Sequence, residues 1–210
     1  MNKLGDLSCN EFLTELASAA PAPGGGGGAA MAGALAAALA SMVANLTIGK
    51  EKFADREPEV KELLEQAEAE RVRLLTLVDE DAAVFNSFMS CYKLPKTTDE
   101  EKAARTAAIR AAAKQAATVP LNIARSSFVV LKLAERLVVS GNPGVITDGA
   151  CSGLLARAAL RCAEYNVRIN LGLTKDEAWN AQATADLKQL LADAEALETR
   201  LLAVTDKALQ

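Results

Sequence analysis

Apolar residues return every three or four positions along nearly the whole chain, the spacing that places them on one face of an α-helix. Leu64, Ala67, Leu74, Val78, Ala82, Phe85 and Met89 keep that spacing until Leu94-Pro95 ends the run. Pro58 suits its first turn, with acidic residues around it that complement the helix dipole. A second run, "TTDEEKAARTAAIRAAAKQAATVP", opens on a capping box of Thr98 and Glu101. Pro120 is expected to kink or restart it, and "LNIARSSFVVLKLAERLVV" carries it on to Ser140 and Gly141. Helix resumes at about Asp148 and runs through "CSGLLARAALRCAEYNVRINLG" to a glycine stop. Thr174 and Glu177 have the spacing of another capping box, opening the last long helix. Only "FVVL" and "GVITDG" hold β-branched clusters, and neither has the partners a sheet requires. The expected fold is all-α: one domain over residues 1–210, a bundle of about five to seven helices with an alanine-rich central helix.

One stretch breaks the pattern, "PAPGGGGGAAMAG" at residues 21–33. Ordering five successive glycines is entropically costly, so they form either a disordered linker or a loop whose bare backbone lies against something. Pro21 and Pro23 on one side and a helix on the other favour an ordered, ligand-facing loop at Gly24, Gly25, Gly26, Gly27 and Gly28. Gly25, Gly27 and Ala30 fit GxGxxA, but a short amphipathic helix precedes them where a dinucleotide fold needs a strand. No GK[ST] follows at the spacing of a P-loop. What remains is a helix start with free backbone N–H groups, able to receive an anion or a carbonyl.

The next segment, Ala29 to Ile48, is almost wholly apolar and long enough to cross a bilayer. It is mostly alanine, has no second segment like it, and lies in acidic surroundings. Its small residues, Ala29, Gly33, Ala37 and Ser41, recur every fourth position and permit close helix–helix approach. A central buried helix is the better reading than a membrane span.

Composition narrows the function classes. The 210-residue chain is 50% hydrophobic, 24% charged and 4% aromatic, with a net charge of −4. No lysine–arginine block supplies the basic face that nucleic acid requires. The cysteines Cys9, Cys91, Cys151 and Cys162 lie far apart, suggesting neither a disulfide framework nor a zinc site. Asp6 and Glu11 stand where a signal peptide would be apolar, so a cytoplasmic location is expected. Histidine is absent, which removes the commonest general base and the commonest transition-metal ligand. No metal is expected.

The candidate residues each have a bland alternative. Lys50, just past Gly49 at the end of "NLTIGK" (Asn45 to Lys50), is either a surface lysine complementing a helix C-terminus or a proton shuttle on a pocket rim. Asp148 is either the N-cap of the helix it opens or a carboxylate paired with Lys50; Asn142 and the neighbouring glycines allow close backbone approach. Asp81 flanks an apolar stripe and is either a solvated edge or a carboxylate that binds a ligand's N–H groups. Tyr165, Asn166, Arg168 and Asn170 either satisfy backbone ends or contact a carboxylate-bearing substrate.

Taken in order, "FLTELASAAPAPGGGGGAAMAGALAAALASMVANLTIGK", "LVDEDAAVFNSFMSCYKLPK", "VPLNIA", "SGNPGVITD" and "NVRINL" resemble the cyclodeaminase/cyclohydrolase family of folate enzymes. The resemblance covers nearly the whole chain. It implies an all-helical subunit that forms a homodimer and binds a tetrahydrofolate derivative in a cleft, with no metal or redox cofactor. It also implies roles: Lys50 as proton shuttle, Asp148 as its orienting partner, Asp81 on the pterin, and Asn45, Asn142 and the Gly24–Gly28 backbone against the substrate. The family's loop more usually reads PTPGGGSAAA; here Ala22 replaces the threonine, and Gly27 and Gly28 stand where serine and alanine are common. Backbone contacts survive that change and hydroxyl contacts do not. The expected activity is hydrolysis of 5,10-methenyltetrahydrofolate to 10-formyltetrahydrofolate. Formiminotetrahydrofolate cyclodeamination is the alternative, and a helical assembly protein is the reading without catalysis.

Overall fold

A computed structural model describes residues 3–210. Six α-helices carry the architecture among these residues: α1 (Cys9–Leu16), α2 (Gly25–Asn45), α3 (Glu57–Cys91), α4 (Asp99–Ser140), α5 (Ile146–Thr174) and α6 (Glu177–Ala208). There are no strands among them, and the fold is all-α as expected. Helix α2 lies at the centre, packed against α3, α4 and α5, while α6 covers α4 and α5. Twelve of its 21 residues are buried, including the whole stripe Ala29, Gly33, Ala37 and Ser41. A Cβ on Gly33 would stand 3.0 Å from both Leu74 Cδ2 and Ser127 Oγ, so the small side chains set how closely α3 and α4 approach. α2 is long and apolar enough to cross a membrane, yet 61% of its most apolar window is buried inside the bundle. The main core joins α2 to the large apolar residues of its neighbours, among them Leu74, Leu77, Ile123, Leu131, Leu160 and Leu201.

The helix ends differ from the sequence reading in four places. The glycine run is not a loop: Gly24 is the N-cap and Gly25 to Gly28 form the first turn of α2, with Gly28 N donating to Gly24 O at 2.9 Å. A helix nucleated by neighbours tolerates glycine there because packing outweighs propensity. Helix α4 runs unbroken through Pro120. Thr98 and Glu101 do form the expected capping box, but Thr174 and Glu177 do not. Thr174 ends α5, and Asp176 caps α6 by accepting from Trp179 N at 3.0 Å. Finally, α5 begins at Ile146 behind a short 3₁₀ turn, so Asp148 lies inside the first turn and is not the N-cap.

The two ends of α2 are held differently. Its C-terminal end is strapped to the α4–α5 connection by Asn142. The Asn142 backbone N–H donates to Thr47 Oγ1 at 2.8 Å, its Nδ2 donates to Leu46 O at 3.1 Å, and its Oδ1 accepts from Gly144 N at 3.0 Å. Thr47 Oγ1 in turn donates to Val43 O at 2.7 Å. The N-terminal end has no such strap and opens on a cleft.

Candidate active site

The cleft, with a volume of ≈ 330 Å³, is enclosed by the Pro21–Gly26 backbone and by one face each of α3, α4 and α5. Helix α3 gives Asp81, Val84, Phe85 and Phe88, and α5 gives Asn166, Ile169, Asn170 and Leu173. Both sets follow the i, i+3, i+4, i+7 spacing of a single helical face. Ala116 and Pro120 of α4 close the third side. The walls are apolar and partly aromatic, and Phe88 meets Tyr92 edge-on with ring centroids 5.3 Å apart.

Asp81 is the only ionisable side chain in that lining among the described residues. Burial pushes its carboxyl above the usual aspartate range, while the N–H of Gly27 acts in the opposite direction. The carboxylate therefore lies against the positive end of the α2 dipole. Gly26 is needed for this approach: a Cβ there would collide with the Asp81 carboxylate. A Cβ on Gly25 would lie 3.4 Å from Asn166 Nδ2. Bare backbone at these two residues lets α3 and α5 close on the helix start.

The amides are held in defined orientations. Asn166 Nδ2 donates to Cys162 O at 2.9 Å, and Asn170 Nδ2 donates to Ala116 O at 2.9 Å and Asn166 O at 2.8 Å. The cleft thus offers a carboxylate, two amide oxygens and the N–H groups of a helix start, set among apolar walls. That arrangement suits a flat heterocycle bearing several N–H donors, with aromatic and aliphatic side chains against its faces.

The expected site residues do not all converge. Gly24, Gly25, Gly26 and Asp81 line the cleft; Gly27 instead packs on Pro23, and Gly28 lies beside Leu16. Asn45 is exposed at the far end of α2, about 30 Å away for a helix of that length. Asn142 is at that end too, with its polar atoms committed to the strap. Lys50 is exposed in the turn after α2, and Asp148 is part-exposed in the first turn of α5, where it complements that helix's dipole. Within one chain Lys50 and Asp148 form no salt bridge among the described residues. The fold does bring their two segments to the same end of the bundle, through Asn142. Phe85, Phe88, Pro120 and Ile169 were not singled out as site residues from the sequence. For Phe85, Phe88 and Ile169 the signal was present in the helical spacing from Asp81 and from Asn166, but apolar residues at that spacing read equally well as core; Pro120 had no such signal.

No group of three or more His, Cys, Asp or Glu side chains suited to a metal ion gathers among the described residues.

The fold and cleft together define an all-helical protein with a largely apolar ligand cleft at one end of its central helix. A solved structure of formiminotetrahydrofolate cyclodeaminase from Thermotoga maritima superposes with a TM-score of 0.88 at 30% identity, covering 98% of both chains. The formiminotransferase-cyclodeaminase family model matches residues 8–189, and the chain belongs to that family. It is 45% identical over 197 residues to a methenyltetrahydrofolate cyclohydrolase from Methylorubrum extorquens, covering 94% of this chain and 95% of that one. It is also 34% identical over 183 residues to the formimidoyltransferase-cyclodeaminase of Sus scrofa, matching 34% of that longer protein.

Proposed function

We propose that the protein is a methenyltetrahydrofolate cyclohydrolase. The carrying observation is the single carboxylate in the cleft lining, Asp81, half-buried at a helix start among polar groups that are otherwise neutral. The 45% identity to a cyclohydrolase over nearly the full length of both chains supports the reaction. The substrate's bridging carbon belongs to a cationic amidinium between N5 and N10, and an aspartate beside it offsets that charge. Water adds to the carbon, and its proton passes to the Asp81 carboxylate. The carbon–N5 bond then breaks, N5 takes a proton, and the second proton of the former water leaves as the formyl group forms on N10. One proton is released overall. A carboxylate whose pKa lies above the ordinary range is a stronger base than a free one, which suits both transfers. The chemistry calls on neither a metal nor a redox cofactor, and a cytoplasmic location agrees with exposed free thiols at Cys9, Cys151 and Cys162.

Formiminotetrahydrofolate cyclodeamination passes through a related tetrahedral carbon, and the 30% identity to a solved cyclodeaminase favours keeping it as the second reading. The two are separated by one paired assay. Loss of methenyltetrahydrofolate absorbance, without ammonia release from formiminotetrahydrofolate, supports the cyclohydrolase; the reverse pattern overturns it. The relatives above are enzymes, so assembly without catalysis has no comparable support.

The homodimer is part of the same proposal. The outer faces of α2 and α5 expose Leu35, Met42 and Leu154 at 50%, 42% and 43%, and α2 carries no charged residue along its length. An uncharged face lets two copies of a chain with net charge −4 meet without repulsion. Two copies paired antiparallel about Leu35 would set the partner subunit's Lys50 beside the Gly25 end of α2. In that arrangement Lys50 reaches a cleft only across the dimer, where it would shuttle away the proton released overall, and Lys50→Met lowers kcat. Normal turnover by Lys50→Met would remove it from the mechanism.

A further inference from the structure

Pro120 sits in the middle of α4 without breaking it. A proline there has no N–H, so the carbonyl four residues earlier, Ala116 O, loses its helical donor. The structure supplies another: Asn170 of α5 donates its Nδ2 to Ala116 O at 2.9 Å. The second Nδ2 hydrogen goes to Asn166 O at 2.8 Å. With both hydrogens held by carbonyls, the amide has one orientation, because a flipped amide would set its oxygen against two acceptors. Asn170 Oδ1 accepts no hydrogen bond among the described residues, although Asn170, Ala116 and Pro120 all line the cleft.

We propose that Asn170 is a specificity-determining residue whose Oδ1 accepts a hydrogen bond from an N–H of the bound heterocycle, and that Pro120 positions it by freeing Ala116 O. This rests on the cleft being the folate site and assigns two residues within it. An amide free to flip presents a donor as readily as an acceptor and discriminates poorly. One locked by two carbonyls presents only the acceptor, and so favours a ring edge rich in N–H groups over an isostere with ring acceptors there.

The competing explanation is structural: Asn170 satisfies a carbonyl that proline orphaned, and nothing more. A double-mutant cycle separates the two. Asn170→Ala is expected to raise KM for methenyltetrahydrofolate about tenfold while kcat moves much less, the size of one lost neutral hydrogen bond. Pro120→Ala restores an N–H for Ala116 O and unlocks the Asn170 amide. It is expected to raise Tm, since alanine suits a helix interior better than proline, and to raise KM about threefold. The decisive variant is the double one. If Oδ1 binds substrate, Pro120→Ala/Asn170→Ala has the same tenfold higher KM as Asn170→Ala. If the role is only structural, Pro120→Ala cures the orphaned carbonyl and the double variant returns to wild-type KM, which overturns the proposal. Tm values for all three show that each variant is folded. Wild-type protein that neither binds nor turns over the folate fails the functional reading itself, and this inference with it.

Discussion

The two ends of α2 are built from the same helix and do opposite things. At its C-terminal end the polar groups are paired: Asn142, Thr47 and Leu46 O form a closed set of bonds that ties α2 to the start of α5. At its N-terminal end, Asp81 sits in a partly desolvated place, and Asn170 Oδ1 has no partner among the described residues that surround it with apolar walls. Fully satisfied polar groups stabilise a fold, whereas incompletely satisfied ones facing a cavity are held ready for a ligand. The contrast separates a structural end from a binding end, although the sequence offers polar residues at both.

The sharpest way to break the comparison is Asp81→Asn. It is expected to lower kcat by about two to four orders of magnitude, the usual worth of a positioned acid–base group. Its effect on stability has the opposite sign. Burial raises the folded-state pKa of Asp81, so the protonated form favours the fold. That contribution is complete below the ordinary aspartate range and is lost as pH rises through the raised pKa. At neutral pH the variant should therefore melt above the wild type, and below about pH 4 the two should converge. A variant that melts lower at neutral pH would mean that the carboxylate supports the fold instead of the chemistry.

Leu35→Asp, on the outer face of α2, tests whether the two ends meet across a dimer. The expected result is a monomer by light scattering, with kcat reduced by about tenfold or more if the partner subunit's Lys50 is lost from the cleft. A fully active monomer would confine the site to one chain. Gly26→Ala is next in size. Alanine is the better helix former by about 1 kcal/mol, so the fold is expected to survive. The displaced Asp81 carboxylate should nonetheless lower kcat/KM by about tenfold, measured on the same substrate. Asn142→Ala at the structural end should do the reverse. It should cost about 1–3 kcal/mol in denaturant unfolding, because Leu46 O and Gly144 N lose their partner, and should change KM little.

Much of the fold was legible in the sequence because helices announce themselves locally. The spacing from Leu64 to Met89, the Thr98–Glu101 box and the small-residue stripe of α2 each predict a feature that the structure contains. Pro120 does not restart the helix, one of the two outcomes local propensity allows, because packing of α4 against α3, α5 and α6 holds it continuous. The 174–177 box was misread for a similar reason: Asp176 competes for the same role and has the better geometry.

For the site, the sequence by itself determined which chemistry is available: no histidine, one glycine-rich helix start, and a few carboxylates, amides and lysines. It also carried, through its motifs, the family. Only the tertiary structure decided which of those groups share a cleft, because that depends on how α3, α4 and α5 close around one end of α2. Lys50 and Asp148 follow motifs as distinctive as the glycine run, yet the length of α2 sets them about 30 Å from it within one chain. Gly26 shows the same division on the smallest scale. Its identity is written in the sequence, but the reason for it, a carboxylate from a helix more than fifty residues on, exists only once the chain has folded.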